Sequence, residues 1–444
     1  MKKIRRVAII GGGVGMMSIL YKMAKIDVRN CEICVYRKNT AGIGEAYKLS
    51  PDYLIMNTRN DAISFFDECI NYGKWLSKNH PALSKKEEFV PRRVFGQYLL
   101  DVNKSLRSRL NRQNCIIHYD NSAARITENN QIVTERGETS HKHDVIFISI
   151  GFGCESNTAE VESVLDRVPY KGVLNIVGSG LGAIDAVISS HNYRPDIHIS
   201  CFSREGMFPA VRGDFGISEL SIFERNERLL KTPSLTLMFA TLRKECRRIC
   251  GDESDYQMLV NPRGDLLSEY RKVLNRTPAW QSMLYSGTNQ YSIFFSQLSG
   301  PEKHWLMSHR PKFINRRGMF PQRNARWLLS LMDNNSLSIK SRNISLPETL
   351  KGHWLSCINS NKGIKKFLHL SKIKTDAYGG ALIDKNGRAK DHRNIYVIGP
   401  ATNSSRYFTE ASSLTVTHCE QAVSDAFREK GNKHEHKELR SQFI

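Results

Sequence analysis

Two glycine-rich turns are the residues in this 444-residue sequence whose types and spacing could do chemistry. Val7-Ala8-Ile9-Ile10-Gly11-Gly12-Gly13-Val14-Gly15 stands near the start, and Leu174-Asn175-Ile176-Val177-Gly178-Ser179-Gly180-Leu181-Gly182-Ala183 in the middle. Each lies between a strand-forming run and a helical stretch. Glycines in that setting bring backbone N–H groups and a helix N-terminus close to a pyrophosphate, where the helix dipole favours negative charge. One such turn is a weak signal. Two in one chain point to two dinucleotides, a combination that usually means a flavin and a nicotinamide.

In the second turn Gly178, Gly180 and Ala183 fit G-x-G-x-x-A, and the following strand ends in Cys201-Phe202-Ser203-Arg204. An NAD-binding domain carries an acidic ribose ligand there. A hydroxyl and a guanidinium suit a ribose 2′-phosphate instead, which favours NADPH over NADH, against a plain surface arginine at a strand end. In the first turn Gly11 and Gly13 are in place, but Met16 occupies the third glycine position and Arg37 replaces the acid at the end of the second strand. Two outcomes are open. Either Gly15 relieves the helix–strand packing and other groups hold the ribose, or flavin binding is weak.

The elements that must position these turns follow from the apolar patterning. Residues 5–11, 32–37, 115–119, 123–127 and 144–150 read as strands, with a helix from about Gly15 to Lys25. A second unit runs through a strand at 173–178, a helix at about 182–190 and a strand at 197–203. From about Glu219 to Met332 the pattern is helical, punctuated at Pro262, Gly264, Gly300 and Pro301. Strand signals return up to Asn394-Ile395-Tyr396-Val397-Ile398-Gly399-Pro400, followed by a helix from about Glu410 to Lys430 and a polar tail. The expected fold is α/β: two Rossmann-like dinucleotide-binding domains, the second inserted in the first, with a helical insertion. The expected boundaries are 1–165 and 342–430 for the FAD-binding domain, 166–218 and 311–341 for the NADPH-binding domain, 219–310 for the helical substrate region, and 431–444 for the tail.

Composition narrows the class. Hydrophobic content of 40% and charged content of 25% are ordinary for a soluble protein. The apolar runs fall short of the ~18 residues a membrane span needs. Met1-Lys2-Lys3-Ile4-Arg5-Arg6 precedes a strand and a glycine turn, not the apolar stretch of a signal peptide, which predicts a cytoplasmic protein. Ten cysteines show no framework spacing; Cys31-Glu32-Ile33-Cys34 falls in a strand, and Cys246 with Cys250 lacks a second ligand pair, so free thiols and no metal are expected. The net charge of +21 raises nucleic acid or an anionic surface as a partner. The basic residues, Lys85-Lys86 and Arg316-Arg317 among them, are spread along the chain without an aromatic-interleaved module, and a positive field also concentrates anionic cofactors and acidic substrates.

Three stretches carry a resemblance: Gly42-Ile43-Gly44-Glu45-Ala46-Tyr47, then Tyr53-Leu54-Ile55-Met56-Asn57, then Phe89-Val90-Pro91-Arg92-Arg93-Val94-Phe95-Gly96-Gln97-Tyr98-Leu99. They resemble the N-terminal FAD/NAD(P)-binding domain of the FAD-dependent urate hydroxylase and aspartate N-monooxygenase family. The second glycine turn, Ser203-Arg204-Glu205-Gly206-Met207-Phe208-Pro209, Arg316-Arg317-Gly318-Met319-Phe320-Pro321, and Ile398-Gly399-Pro400 with Glu410 sit in the same order. Only the helical insertion is poorly matched. The resemblance implies a flavoprotein related to the lysine and ornithine N-hydroxylases, in which NADPH reduces FAD and the reduced flavin activates oxygen as a C4a-hydroperoxyflavin. It implies no Ser-His-Asp triad, metal cluster or carboxylate pair.

The two turns and the strand ends after them make Gly11, Gly13, Gly15, Arg37, Gly178, Gly180, Ser203 and Arg204 the expected cofactor-binding residues, and the resemblance implies Gly44, Tyr47, Asn57, Gly399, Pro400 and Glu410 as well, with the last helix's N-terminus facing the flavin's pyrimidine edge. Of Arg92 and Arg93, one reaches a phosphate or an acidic substrate, or the two form a surface pair at a helix start. The leading reading is an FAD- and NADPH-dependent monooxygenase that N-hydroxylates a small, anionic amino acid such as aspartate. Urate-like heterocycle hydroxylation is the alternative within the class. Outside it stands a flavin-deficient basic scaffold binding nucleic acid or an acidic partner.

Overall fold

The computed structural model describes residues 6–38, 42–44, 47, 50–63, 66, 71–86, 88–151, 158–215, 220–261, 266–342, 352–358, 361–409 and 411–428. Its strands are β1 (Arg6–Ile10), β2 (Glu32–Tyr36), β3 (Ile116–Asp120), β4 (Ala123–Ile126), β5 (Ile132–Thr134), β6 (Val145–Ile148), β7 (Val173–Val177), β8 (His198–Ser203), β9 (Leu337–Ser341), β10 (His353–Ser356) and β11 (Ile395–Val397). Two parallel sheets organise them. The first has the order β11-β6-β1-β2-β3 and the second the order β10-β7-β8-β9; β4 and β5 form an antiparallel pair.

The near-continuous apolar runs of β1, β6 and β7 are what parallel strands covered on both faces require. Val7, Ala8 and Ile9 are fully buried, as are Ile146, Phe147 and Ile148. On one face of the first sheet the Val14–Lys25 helix lies along the Ser412–Ala426 helix and the Arg92–Arg112 helix. The last of these follows Pro91, whose fixed φ suits a helix start. Its Val94, Tyr98, Val102, Leu106 and Leu110 recur at helical spacing and enter the core, and its polar remainder faces out.

Both sheets share one plan. Chain order moves outward from β1 to β3 and then returns to the other side of β1 with β6; likewise it moves from β7 to β9 and returns beside β7 with β10. Each sheet therefore has a switch point, and crevices that bind ligands form there, at the strand C-termini. Each glycine turn sits at one.

The expected boundaries need two corrections. The Thr158–Leu165 helix contributes Val164 and Leu165 to the second unit's core, and β10 completes the second sheet, so the second unit begins earlier than 166 and extends beyond 341. The reason is that a return strand covers the open edge of β7, and 353–356 supplies it. Between β8 and β9 the chain is helical, as the patterning predicts. The Leu235–Cys250 helix starts at Ser234, whose Oγ accepts from Leu237 N–H at 3.5 Å, and stops at Gly251 in the left-handed conformation. The insertion packs a core of its own around Trp280, Phe223, Tyr291 and Phe294, which also takes in Tyr407 and Phe408 from the segment leading into the last helix and Leu414 from that helix's first turn.

Candidate active site

The first glycine turn is built by close approach. Gly11 has φ +119°, and a Cβ there would fall 2.1 Å from the Ser149 carbonyl oxygen just beyond β6, so only glycine fits. Gly13 starts the Val14–Lys25 helix without a side-chain cap and without an acidic residue in the first turn, leaving its terminal N–H groups for an anion. Gly42 N–H donates to Gly12 O (2.7 Å), and a Cβ on Gly44 would lie 3.2 Å from Gly13 Cα. The resemblance segment thus packs directly on the turn.

Met16 is fully buried in the core and is not where helix and strand come closest. Gly15 is. A Cβ on Gly15 would lie 1.7 Å from Ser149 Oγ, and its carbonyl accepts from Cys419 Sγ at 3.4 Å. Gly15 therefore relieves the packing that a third motif glycine usually relieves. Arg37 lies against Gly12 at the end of β2, its guanidinium 5.0 Å from the Tyr119 ring centroid, with Arg107 over the same ring. A cation there suits a phosphate and leaves ribose hydroxyls to other groups.

The remaining first-site residues come from distant segments. Tyr47 packs edge-on against Phe95 and its hydroxyl lies 3.3 Å from Ser412 Oγ, the first residue of the last helix. Thr415 in the next turn of that helix lies against Gly15. Gly399, at φ +75° just past β11, has no atom within 4 Å of where a Cβ would stand, and Pro400 follows it in a short 3-10 turn. Asn57 is half-buried in the loop after Met56, whose N–H donates to Val90 O. Glu410 lies outside the described residues. The turn, Tyr47 and the start of the last helix thus converge, and the closely built glycines give backbone N–H groups the access a dinucleotide needs.

The second turn repeats the plan. Gly178 has φ +111°, and its N–H donates to Phe202 O at 2.8 Å. A Cβ there would stand 3.0 Å from the Cys357 carbonyl oxygen, just beyond β10. The Leu181–Tyr193 helix starts at Gly180 with no acidic first turn, and neither Gly180 nor Gly182 has an atom within 4 Å of a built Cβ. Ala183 is buried, permitting close helix packing. Ser203 Oγ accepts from Gly206 N–H (3.0 Å), so the hydroxyl holds the turn after β8. Arg204 is exposed beside it. Arg342, also exposed, donates its N–H to Ser203 O at 2.8 Å. Two arginines thus stand at neighbouring strand ends. Arg342 was not legible as a partner because it arrives from the far end of the helical insertion.

Arg92 and Arg93 are committed within the chain. Arg92 donates to Asp185 from Nη1 (2.5 Å) and Nη2 (3.0 Å), and from Nε to Ile55 O (3.0 Å). Arg93 pairs with both oxygens of Asp52. All three nitrogens of Arg92 are taken up within the chain, a correction to its expected substrate role, and Arg93 forms a surface pair at the helix start. Among the described residues no group of three or more histidine, cysteine or acidic side chains could hold a metal ion, and no helix is long and apolar enough to cross a membrane.

Residues 8–153 match the NAD_binding_9 family model, described as FAD-NAD(P)-binding. No curated protein matches the chain by sequence. Among solved structures the chain is similar to the ornithine N-hydroxylase of Kutzneria sp. 744, determined with reduced FAD, NADP+ and L-ornithine, at 13% identity and TM-score 0.56, covering 96% of this chain and 99% of that one. The ornithine hydroxylase of Pseudomonas aeruginosa matches at 10% identity and TM-score 0.56 over 95% and 98% of the two chains. The desferrioxamine-pathway cadaverine monooxygenase of Erwinia amylovora, determined with FAD, matches at 10% and 0.56 over 96% and 95%. The chain thus carries an FAD/NAD(P)-binding domain at its N-terminal end and has, over nearly its whole length, the fold of these N-hydroxylating flavoproteins.

Proposed function

We propose that the protein is an FAD- and NADPH-dependent monooxygenase that N-hydroxylates the amine of a small acidic amino acid such as aspartate. The observation that carries the cofactor part is the repeated cradle: Gly11 against Ser149 and Gly178 against Cys357, each at the switch point of a parallel sheet. A flavin held there supplies reductive activation of dioxygen. The chain's own residues bind, orient and exclude water. Gly13 and the helix it starts would hold the FAD pyrophosphate, with Arg37 contributing positive charge for a phosphate; Gly399, Pro400 and the N-terminus of the Ser412–Ala426 helix would serve the flavin ring, where the helix dipole would favour negative charge. Gly180 opens the second helix to the NADPH pyrophosphate, and Arg204 with Arg342 takes the 2′-phosphate.

The test is the visible spectrum of the purified protein before and after NADPH under anaerobic conditions, followed by oxygen uptake with L-aspartate. A flavin spectrum that bleaches, with uptake accelerated by L-aspartate, is expected. A colourless protein that does not reconstitute with FAD would sink the reading and favour a flavin-deficient scaffold, the alternative that Arg37 motivates. Product analysis showing hydroxylated urate instead of hydroxylated aspartate would replace the substrate.

A further inference from the structure

Two arginines of the sequence meet where the insertion joins the second unit. Arg212 is 3% exposed and Arg317 is 5% exposed, and their guanidinium carbons lie 4.3 and 4.4 Å from the centroid of the same Tyr285 ring. Arg212 also lies 4.5 Å from the Phe215 ring centroid, and Arg317 5.0 Å from that of Phe408. Aromatic faces attract cations, but they compensate only part of the cost of removing a guanidinium from water, and two like charges at one ring repel.

The bonding of Arg212 is incomplete in a specific way. Its Nε and Nη2 are buried and have no hydrogen-bond partner among the described residues. Among the described residues it forms no ion pair. The charged side chains that act on it, Arg59 and Asp61, are bonded to each other, and Arg59 also pairs with Glu88 and Asp214. Nε and Nη2 form one edge of the guanidinium, the edge whose two parallel N–H bonds match two carboxylate oxygens. Elsewhere in this protein that edge is filled: Arg194 places Nε and Nη2 2.7 and 2.8 Å from the two oxygens of Asp196, and Arg243 places them 2.9 and 2.8 Å from those of Glu253.

The backbone around Arg212 is held firmly. Gln281, fully buried, accepts from Gly213 N–H (2.7 Å) and donates to Val211 O (2.8 Å), gripping both sides of Arg212. Arg212 N–H donates to Phe320 O at 2.8 Å. An arginine fixed in this way, with its fork edge unfilled, is built to receive a planar oxyanion. Its position joins the parts the reaction needs: Arg59, in the loop after Asn57, reaches Asp214 at 3.1 Å, and Phe408 precedes the last helix by three residues of sequence before Ser412.

We infer that Arg212, supported by Arg317 across their shared Tyr285 ring, binds a carboxylate of the substrate and so selects acidic amino acids over diamines. This rests on the function proposed above. Gln281 is a positioning residue. The specificity follows from charge: a cationic diamine would meet two buried guanidiniums and leave the fork unfilled.

The test uses the protein as purified, its flavin spectrum recorded first, titrated calorimetrically with L-aspartate, succinate and cadaverine. L-aspartate and succinate are expected to bind saturably and cadaverine not to bind. In Arg212→Gln both dicarboxylate dissociation constants rise about 100-fold, because the charged partner of a desolvated pair is removed, with the flavin spectrum unchanged. Arg212→Lys is weakened as well, since an ammonium cannot form the fork. Unchanged aspartate affinity in a folded Arg212→Gln protein overturns the inference. So does a loss of NADPH affinity in its place, which would make the anion a nucleotide phosphate. If Arg212→Gln does not fold, the wild-type preference decides, and cadaverine binding in preference to succinate is the contrary result. A spectrum that bleaches with NADPH alongside failed dicarboxylate binding sinks this inference alone; a colourless protein that binds succinate through Arg212 sinks only the flavin reading.

Discussion

Arg92 and Asp185 tie the first unit to the second: the guanidinium at the start of the Arg92–Arg112 helix donates twice to a carboxylate one turn into the Leu181–Tyr193 helix, at 2.5 and 3.0 Å. Asp185 belongs to the helix that begins at the Gly180 turn, so the pair fixes that helix relative to the segment that carries Ile55 and Asn57. Both side chains are mostly buried, at 18% and 22% exposure, and burial holds the Arg92 pair in a setting where bidentate geometry counts.

A double-mutant cycle on this pair is expected to give a coupling of about 1–3 kcal/mol. Arg92→Gln and Asp185→Asn each lower the thermal midpoint, and the double variant loses less than the sum. Strict additivity in scanning calorimetry would show that the pair carries no coupling between the units.

The glycines of the two turns divide by what stands beside them. Gly15→Ala places a methyl 1.7 Å from Ser149 Oγ and 2.9 Å from its Cβ, and is expected to cost about 1–3 kcal/mol of stability through overpacking. Gly180→Ala meets no protein atom within 4 Å and is expected to leave stability within about 0.5 kcal/mol, because nothing must shift. Its effect falls on the ligand: the NADPH dissociation constant rises roughly tenfold, about 1.4 kcal/mol, as the backbone no longer meets the pyrophosphate closely. Thermal midpoints and NADPH titrations of the two variants check this, and equal stability losses would contradict it.

Much of the architecture was legible in the sequence because parallel strands are buried on both faces and read as unbroken apolar runs, as in Val7–Ile10 and Val145–Ile148. Gly11 and Gly178 were legible for a related reason: their positive φ is a local property of the turn. What depends on distant chain was not. β10 looked like part of the first unit because sequence order cannot say which sheet edge a short strand covers. Arg92 and Arg93 looked available because their partners, Asp185 and Asp52, lie on other elements. Arg212 went unnoticed because its significance is the lack of a partner at Nε and Nη2, which only packing reveals.

Cofactor preference tests the second cradle. Arg204→Ser is expected to lower the ratio of kcat/KM for NADPH over NADH by roughly tenfold, the loss of one exposed charge-assisted contact worth about 1.4 kcal/mol. Arg342→Ser acts in the same direction, and the wild-type preference weakens as ionic strength rises because both side chains are exposed. A ratio unmoved by both substitutions would assign the 2′-phosphate to other residues.

Acid should destabilise the first unit through His143. The ring is 1% exposed, its Nε2 lies 3.0 Å from the Tyr36 hydroxyl and 3.2 Å from Ser140 Oγ, and its Nδ1 has no partner among the described residues. Burial pushes its pKa down to about 4 from 6.5, with Arg6 adding in the same direction while Glu32 and Asp144 oppose. The folded protein thus holds a neutral imidazole that the unfolded chain would protonate. The stabilisation is fully present above pH 6.5 and is lost as pH falls through about 4, amounting to about 3 kcal/mol over that window. His418, 3% exposed and depressed by burial and by Arg406, acts with the same sign. His143→Gln keeps a hydrogen-bonding group toward Tyr36 but removes the titration. Its thermal midpoint is expected to be lower than wild type at pH 7.5 and to fall less steeply between pH 6.5 and 4. Parallel curves for the two proteins across that window would show that His143 does not drive the acid transition.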